Sequence, residues 1–517
     1  MIRILRNVAI GALGVVAAGC TDLLLEPKST ISSGNVFDEP ASYRAFIAKV
    51  YAGLAVTGQE GPAGNADIQG IDEGFSQYVR VIWKANELPT DEAVLGWGDT
   101  GLPELNTQLW SANNPFVTAA YYRIFFQVAL ANEFLRETTD AKLDQRGVSG
   151  ALRTEIGLYR AEARFLRALS YWHAIDLFGG VPLVTETSSK AEPPAKATRA
   201  AVYDFIVTEL NAVRSVLPAA PQYGRAGQAA ANMLLAKLYL NSEVYTGTAR
   251  WTEARTAVDA VIATPGYSID PNYLRIFGAD NNTSPEIIFP VTSDGANTRT
   301  WGGMTFLIHA SCGGDMNSAT YGHDGCWWGL RLKQGVIGLY GAGDARDDFF
   351  VATGQNTDSV RSIPEFRDGR AAPKFRNIRS TGGAGSNSTF PDTDYPMFRL
   401  ADAYLMYAEA VVRGGGGTRA QALTYINALR TRAGAATISD AQMTLDFILD
   451  ERARELLWEG HRRTDLIRYN YFTGGTRIWE WKGGTRAGTA TQPFRNLYPI
   501  PAAELTANPR ITQNTGY

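Results

Sequence analysis

Apolar residues recur at steps of three and four in several parts of the chain, and this spacing predicts amphipathic helices. The clearest example is "YRAEARFLRALSYWHAIDLF", which starts at Tyr159. Its apolar positions are Leu158, Ala161, Phe165, Leu169 and Trp172, and the opposite face carries Arg160, Arg164 and Arg167. Gly179 and Gly180 predict the end of this helix, and Pro182 prevents it from resuming.

Two further regions predict pairs of helices joined by short turns. The first pair is "AAANMLLAKLYL" from Ala229 and "RWTEARTAVDAVI" from Arg250, and the second is "LADAYLMYAEAVVR" from Leu400 and "RAQALTYINALRTRAG" from Arg419. Small side chains would let these helices approach closely, as in tetratricopeptide repeats: Ala230, Ala236, Ala254, Ala257, Ala408 and Ala420. Because one pair cannot bury its apolar face alone, we expect the pairs to stack.

A helical pattern also runs through "LDFILDERARELLWEGHRRTDLIRYN" from Leu445. Asp450 and Arg454 have i,i+4 spacing there, and a second group follows with Glu459, Arg462 and Arg463. Such charges are more typical of a solvated face, or of pairing at a helix end, than of a reactive cluster.

Helical periodicity is weak in two long segments, about 53–120 and about 267–396, which are rich in Gly, Asn, Asp, Ser and aromatic residues. A compact domain seldom contains such long irregular stretches without a functional reason. We therefore predict a mainly α fold, a tetratricopeptide-like stack of helix pairs. The two loop-rich insertions are expected to meet in space and form the ligand-binding face.

The first residues predict export and a lipid anchor. Arg3 and Arg6 precede an uncharged stretch over residues 8–18, and the "AAGC" that ends at Cys20 matches a lipoprotein cleavage site. We expect residues 1–19 to be removed as a signal peptide and Cys20 to carry the lipid. Residues 20–517 are then expected to form a single domain. Several acyl chains hold a protein on a membrane durably.

Composition and motifs narrow the classes of function. The net charge is −3 and no basic patch stands out, so nucleic acid is not an expected partner. The sequence has no G-x-S-x-G, phosphate-binding loop or H-E-x-x-H motif. Neighbouring carboxylates such as Asp91 and Glu92 are more typical of solvated loops than of a glycosidase pair. We therefore expect no catalytic residues, no cofactor and no metal site.

The middle insertion contains the pattern H-x₂-C twice, as His309 to Cys312 and as His323 to Cys326. Two thiolates and two imidazoles could form a tetrahedral zinc site that holds the loop. The oxidising conditions met by an exported protein instead favour a disulfide between Cys312 and Cys326. We predict the disulfide, with the zinc site and free thiols as alternatives.

Four stretches in this order resemble the SusD/RagB family of nutrient-uptake lipoproteins: "AEARFLRALSYWHAIDLFGGVPLV", "AAANMLLAKLYL", "ERARELLWEGHRRTDLIRY" and the terminal "NLYPIPAAELTANPRITQNTGY". The segment "YYRIFFQVALANEFL" from Tyr121 also resembles the family's early helix, with Asn132 in the expected place. The resemblance spans nearly the whole mature chain. A lipoprotein signal at one end and this C-terminal tail at the other make it specific.

The resemblance implies a function as well as a SusD-like fold. It implies a lipid-anchored outer-membrane protein on the cell exterior that docks on a SusC-like, TonB-dependent transporter. Family members bind oligosaccharides in many cases and peptides in others. The expected function is therefore capture of nutrient glycans and their delivery, unaltered, to the transporter. The alternatives are a peptide ligand, a tetratricopeptide-like scaffold that binds only protein, and a surface hydrolase with an unrecognised site.

The same resemblance implies which residues bind ligand. Family members commonly take one stacking ring from the loop after the "DE" of the early insertion and another from the middle insertion. Those positions correspond here to Trp97 and to Trp327 or Trp328. Trp offers a flat face to the C–H side of a pyranose, and polar side chains bond its hydroxyls. Residues expected to complete the site are Trp301, Tyr321, Arg80, Asp99 and Asn106.

Overall fold

A computed structural model describes residue 37, residues 39–189 and residues 191–517. The predicted signal peptide and Cys20 lie outside the described residues. Residues 46–517 form one compact unit. Within the described ranges, no helix combines the length and apolar character needed to cross a membrane.

Helices make up most of the regular structure in the described part of the chain, which confirms the mainly α fold predicted from the sequence. In chain order they are α1 (Pro40–Ala55), α2 (Tyr78–Glu87), α3 (Leu102–Thr107), α4 (Pro115–Glu137), α5 (Asp140–Gln145), α6 (Gly150–Phe178), α7 (Arg199–Val213), α8 (Gln228–Leu240), α9 (Ser242–Thr246), α10 (Trp251–Ile262), α11 (Gly303–Ala310), α12 (Gln334–Ile337), α13 (Leu400–Val412), α14 (Arg419–Arg432), α15 (Leu445–Glu455), α16 (Arg462–Arg468) and α17 (Ala502–Ala507).

The predicted helix pairs form and stack. The Ala229 and Arg250 blocks become α8 and α10, which pack together, and the Leu400 and Arg419 blocks become the paired helices α13 and α14. Helix α10 also packs against α13, so the two pairs are neighbours. Earlier in the chain, the long helix α6 packs against both α4 and α7.

Small buried side chains lie along these pairs, as predicted: Ala230, Ala236, Ala254, Ala257 and Ala408. A methyl group fills little space, so neighbouring helix backbones can approach closely. The prediction is wrong for Ala420, which is exposed to solvent in the first turn of α14.

Two helix ends depend on left-handed backbone. Helix α6 ends before Gly179, which has φ 71°, as its predicted glycine stop requires. The helix predicted from Leu445 is interrupted after α15, because Trp458 and Gly460 have φ values of 60° and 78°. The chain then resumes as α16.

Short strands form three two-stranded antiparallel sheets in the described chain, one of them a local hairpin and two of them between distant segments. The pairs are β1 (Gly58–Glu60) with β2 (Gly64–Ala66), β3 (Ala93–Leu95) with β5 (Leu330–Leu332), and β4 (Ile287–Val291) with β6 (Tyr395–Arg399). Val94 lies opposite Arg331, and both strands of that sheet are buried throughout. This sheet connects the first loop-rich segment to the second.

Arg399, the last residue of β6, is the centre of a buried ion network. It pairs with Glu286 at 2.7 Å, Glu455 at 2.7 Å and Glu459 at 2.6 Å, and all four side chains are at most 1% exposed. Glu286 immediately precedes β4, whereas Glu455 is the last residue of α15. The network therefore ties the β4–β6 sheet to the end of α15.

The solvated face predicted for Glu459, Arg462 and Arg463 is wrong, because all three side chains are buried. Their partners come from other parts of the chain. Arg462 pairs with Asp91 at 2.7 Å, and Arg463 pairs with Asp176 at 2.9 Å. Glu459 has partners in the middle of the chain and at the end of β6. The periodicity of one helix does not show that residues from distant parts of the chain will pair with its charged side chains.

We expect Arg399→Gln to lower the free energy of unfolding by about 3–5 kcal/mol, because three carboxylates would lose a shared buried cation. Urea unfolding at neutral pH measures the change. The matched control is Arg510→Gln, which breaks an exposed pair with Glu192 and should cost less than about 1 kcal/mol. Similar losses in the two variants would contradict the central role of Arg399.

Candidate functional site

An open cleft of about 780 Å³ draws residues from both loop-rich segments. Its lining residues are Asp72, Phe75, Arg80, Trp97, Gly98, Asp99, Trp301 and Trp327. Aromatic rings and charged groups thus share one concave surface, as is usual for sites that bind small molecules.

Three tryptophan rings stand next to one another in this cleft. The ring centroids of Trp97 and Trp327 are 6.2 Å apart with an interplanar angle of 49°, and those of Trp301 and Trp327 are 6.2 Å apart at 48°. Trp327 therefore lies between the other two. The planes differ in direction, so the rings do not form a single flat wall.

Each ring is supported from the protein side. Trp97 donates its indole N–H to the carbonyl oxygen of Trp327 at 2.9 Å. The imidazole of His309 stacks on Trp327, with centroids 4.7 Å apart at 25°. Trp301 packs against Phe390 at 5.1 Å, and Trp97 packs edge-on against Phe306 at 5.8 Å. These contacts limit the movement of the rings before any ligand arrives.

The backbone that carries Trp327 is bonded to the end of α11. Trp327 N–H donates to His309 O at 2.8 Å, and Gly329 N–H donates to Ala310 O at 3.0 Å. Gly329 has no room for a side chain, because a Cβ there would lie 2.8 Å from the Trp97 ring. Glycine at this position lets the two tryptophan-bearing segments approach each other.

A disulfide joins Cys312 to Cys326, with a Cα–Cα distance of 4.7 Å. The two histidines of the H-x₂-C pattern bond to backbone carbonyls instead of forming a metal site. His309 Nδ1 lies 2.7 Å from Gly325 O, and His309 Nε2 lies 2.9 Å from Thr389 O. No cluster of three or more metal-ligating side chains occurs in the part of the chain that the structure describes.

Arg80, in α2, brings a buried positive charge to the cleft. It is 2% exposed, and its Nη1 donates to Trp301 O at 2.9 Å. Its guanidinium carbon lies 4.2 Å from the centroid of the Phe306 ring. Burial lowers the pKa of Arg80 to about 9, while Asp72 and Asp99 act in the opposite direction. The group therefore keeps its charge at neutral pH.

The structure brings together five of the predicted binding residues: Arg80, Trp97, Asp99, Trp301 and Trp327. Tyr321, Trp328 and Asn106 do not line the cleft. Asn106 is fully buried, and its amide bonds to both N–H and C=O of Leu95, at 3.0 and 2.8 Å. Asn106 therefore holds the end of β3, which lies two residues before Trp97. Its buried position excludes contact with a ligand in the cleft.

Sequence reasoning missed Asp72, Phe75 and Gly98. Phe75 lies in the turn before α2, and an aromatic residue in a loop-rich segment was a usable signal. No feature of the sequence distinguished Asp72 from the other acidic residues in the loops. Gly98 follows Trp97 and offers only backbone to the cleft.

Behind β3, two buried carboxyl groups share a site. Glu87 Oε1 accepts N–H bonds from Gly460 at 2.6 Å and His461 at 3.2 Å, and the Glu92 carboxyl is close enough to act on the pKa of Glu87. Burial raises the pKa of Glu87 well above its ordinary value, and Glu92 adds to the rise. Burial also raises the pKa of Glu92, to about 7. Two carboxylates that are both buried and close together repel each other, so we expect one of them to hold a proton.

Comparisons with known proteins agree with this architecture. A family model described as "SusD family" matches residues 287–517, and one described as "Starch-binding associating with outer membrane" matches residues 83–240. The starch-binding protein SusD of Bacteroides thetaiotaomicron is 34% identical over 98% of this chain and 97% of its own length. This chain belongs to the SusD family. Another member, SusD-like protein P25 of Formosa agariphila, is 26% identical over 69% of this chain and 73% of its own.

Solved structures of SusD-like proteins share the fold. A SusD superfamily protein from Bacteroides thetaiotaomicron has a TM-score of 0.72 at 19% identity, covering 92% of this chain and 99% of its own. Surface glycan-binding protein A from the same species, in complex with laminarihexaose, has a TM-score of 0.70 at 20% identity with the same coverage. The SusD-like fold expected from the sequence is therefore confirmed.

The buried carboxyl pair predicts how the stability of this SusD-family protein depends on pH. The unfolded chain releases these protons near pH 4.5, whereas the folded chain holds them to higher pH, so stability should fall as pH rises from about 4.5 to about 7. Glu87→Gln keeps an acceptor for Gly460 and offers an N–H to Glu92. It should gain on the order of 2 kcal/mol relative to wild type between pH 5 and pH 8.

Urea unfolding of both proteins at the two pH values measures this difference. Glu155→Gln, at an exposed position on α6, is the control and should leave the pH dependence of unfolding unchanged. A Glu87→Gln variant with the same pH dependence as wild type would show that the pair does not hold a proton.

Proposed function

We propose that this SusD-family protein binds a starch-like oligosaccharide in its tryptophan cleft and passes it, unaltered, to a SusC-like TonB-dependent transporter. The observation that carries the proposal is the row of Trp97, Trp327 and Trp301 in one open cleft beside Arg80 and Asp99. Indole faces stack on the C–H faces of sugar rings, and charged groups at their edges bond the hydroxyls.

The relatives support a glycan as the ligand. SusD of Bacteroides thetaiotaomicron is named a starch-binding protein, and its identity to this chain extends over 98% of the sequence. Surface glycan-binding protein A, which shares the fold, is in complex with laminarihexaose. These names describe binding, and the proposal accordingly assigns no catalytic step to the chain.

Rigidity of the cleft favours capture. The ring of Trp327 is held by His309 on one side, and its backbone is bonded to α11. A site ordered in advance loses less side-chain and loop entropy when ligand binds, so more of the stacking energy contributes to affinity.

The remaining parts of the proposal concern location. We place the protein on the outer membrane through acyl chains on Cys20, with the cleft available to glycans outside the cell and the helical stack next to the transporter. Support comes from the "AAGC" cleavage motif and from the family description that links starch binding to the outer membrane.

Trp327→Ala should reduce the affinity for malto-oligosaccharides by at least about tenfold, because the central stacking ring is lost. Isothermal titration calorimetry on the unlipidated protein measures the change. Trp251→Ala is the matched control, since it removes a half-buried tryptophan on α10 that does not border the cleft. An unchanged affinity in Trp327→Ala would refute the proposed site, and release of reducing ends from the ligand would refute simple capture.

Cys20→Ala should release the protein from the membrane, because the acyl acceptor is missing. Fractionation of cells that express each form compares the membrane-bound share, with Ser29→Ala as a control in the same N-terminal region. Equal membrane retention of the Cys20→Ala variant and wild type would contradict the lipid anchor.

A further inference from the structure

Trp328 follows a cleft residue in the sequence but does not line the cleft. Its side chain is 46% exposed, and among the exposed apolar side chains of the described residues it is the largest. Its backbone has φ 55°, a left-handed conformation that is unfavourable for a residue with a bulky side chain. Strain of this kind persists only where the surrounding structure enforces it, and it is concentrated at functional sites.

Several contacts hold Trp328 in this exposed position. Its N–H donates to Cys312 O at 2.9 Å, next to the disulfide. The ring of the buried residue Phe366 supports the indole, with centroids 5.7 Å apart at 56°. The exposed ring is thus a rigid platform, because both its backbone and its indole are supported by buried groups.

Polar groups border this platform. The guanidinium carbon of Arg367 lies 5.9 Å from the indole centroid, and Arg367 forms a two-point ion pair with Asp315, at 2.7 and 3.2 Å. The Asp315 side chain is 58% exposed and that of Arg367 is 31% exposed. A flat apolar face therefore stands beside an accessible acceptor and an accessible donor, which is the combination that binds a pyranose.

The platform and the cleft belong to one continuous stretch of backbone. Trp327 and Trp328 are consecutive, so their Cα atoms are separated by about 3.8 Å. Trp327 turns its ring into the cleft, whereas the ring of Trp328 contacts Phe366 outside it. A polymer that fills the cleft is thus within reach of the second ring.

We propose that Trp328, Arg367 and Asp315 form an auxiliary subsite that binds the part of a long glycan that extends beyond the cleft. The inference rests on the proposed function, because it assumes that the cleft binds a glucan. A glycan fits the platform better than a protein partner does. A stable protein interface buries about 1,200–2,000 Å² in total, whereas this platform is one indole with a single ion pair at its border.

The test compares a short ligand with a long one. Trp328→Ala should leave the affinity for maltotriose, measured by calorimetry, unchanged, since three sugar units occupy only the cleft. Its affinity for amylopectin, measured by retardation in amylopectin-containing native gels, should fall about three- to tenfold. Trp328→Phe keeps a ring and should retain part of the lost affinity. Val216→Ala, at another exposed apolar position, is the control.

The outcomes separate this inference from the proposed function. If the wild-type protein binds neither ligand, the proposed function fails and the subsite fails with it. If wild type binds both and Trp328→Ala binds both equally well, only the subsite is overturned. An equal loss of affinity for maltotriose and for amylopectin also overturns the subsite, because that result would show that the substitution damages the cleft. Unchanged amylopectin binding with loss of transporter co-purification would assign Trp328 to protein docking.

Discussion

Arg399 and the carboxylates around it are buried together, and the fold depends on the ion pairs that compensate for the loss of water around these charges. A buried charge is stable only when partners of opposite sign surround it, and losing one partner leaves the others uncompensated. Glu286, next to β4, and Glu455 and Glu459, at and after the end of α15, meet at Arg399. A second cluster works in the same way, where Asp402 pairs with both Lys237 and Arg452. These pairs specify which segments lie next to one another.

The cleft depends indirectly on buried ion pairs of this kind. Arg462 binds Asp91, two residues before β3, so a C-terminal helix holds the strand that leads to Trp97. The β3–β5 pairing then brings that strand to the segment that carries Trp327. Stacking rings from two distant insertions meet because buried charge and a short sheet have already joined their backbones.

Aromatic residues in the insertions serve different purposes according to their surroundings. Trp97, Trp301 and Trp327 have supported rings with one accessible side, whereas Trp458 is buried and donates its indole N–H toward Glu92 O. Residue type alone does not distinguish these cases. What distinguishes a binding ring is a rigid support on one face and open space on the other.

The sequence by itself determined the helices, their pairing and the loop-rich segments, because these follow from periodicity and from local breaks such as Gly179. It also indicated Trp97, and either Trp327 or Trp328, through the family resemblance. Only the tertiary structure decided that Asn106 braces β3, that Glu459 is buried and that Trp328 turns away from Trp327. The burial of Glu459 and the direction of Trp328 depend on partners from distant segments, such as Arg399 for Glu459 and Phe366 for Trp328, whereas Asn106 bonds to Leu95 within its own segment. Local sequence patterns do not show which residue from a distant segment will contact a given side chain in the folded protein.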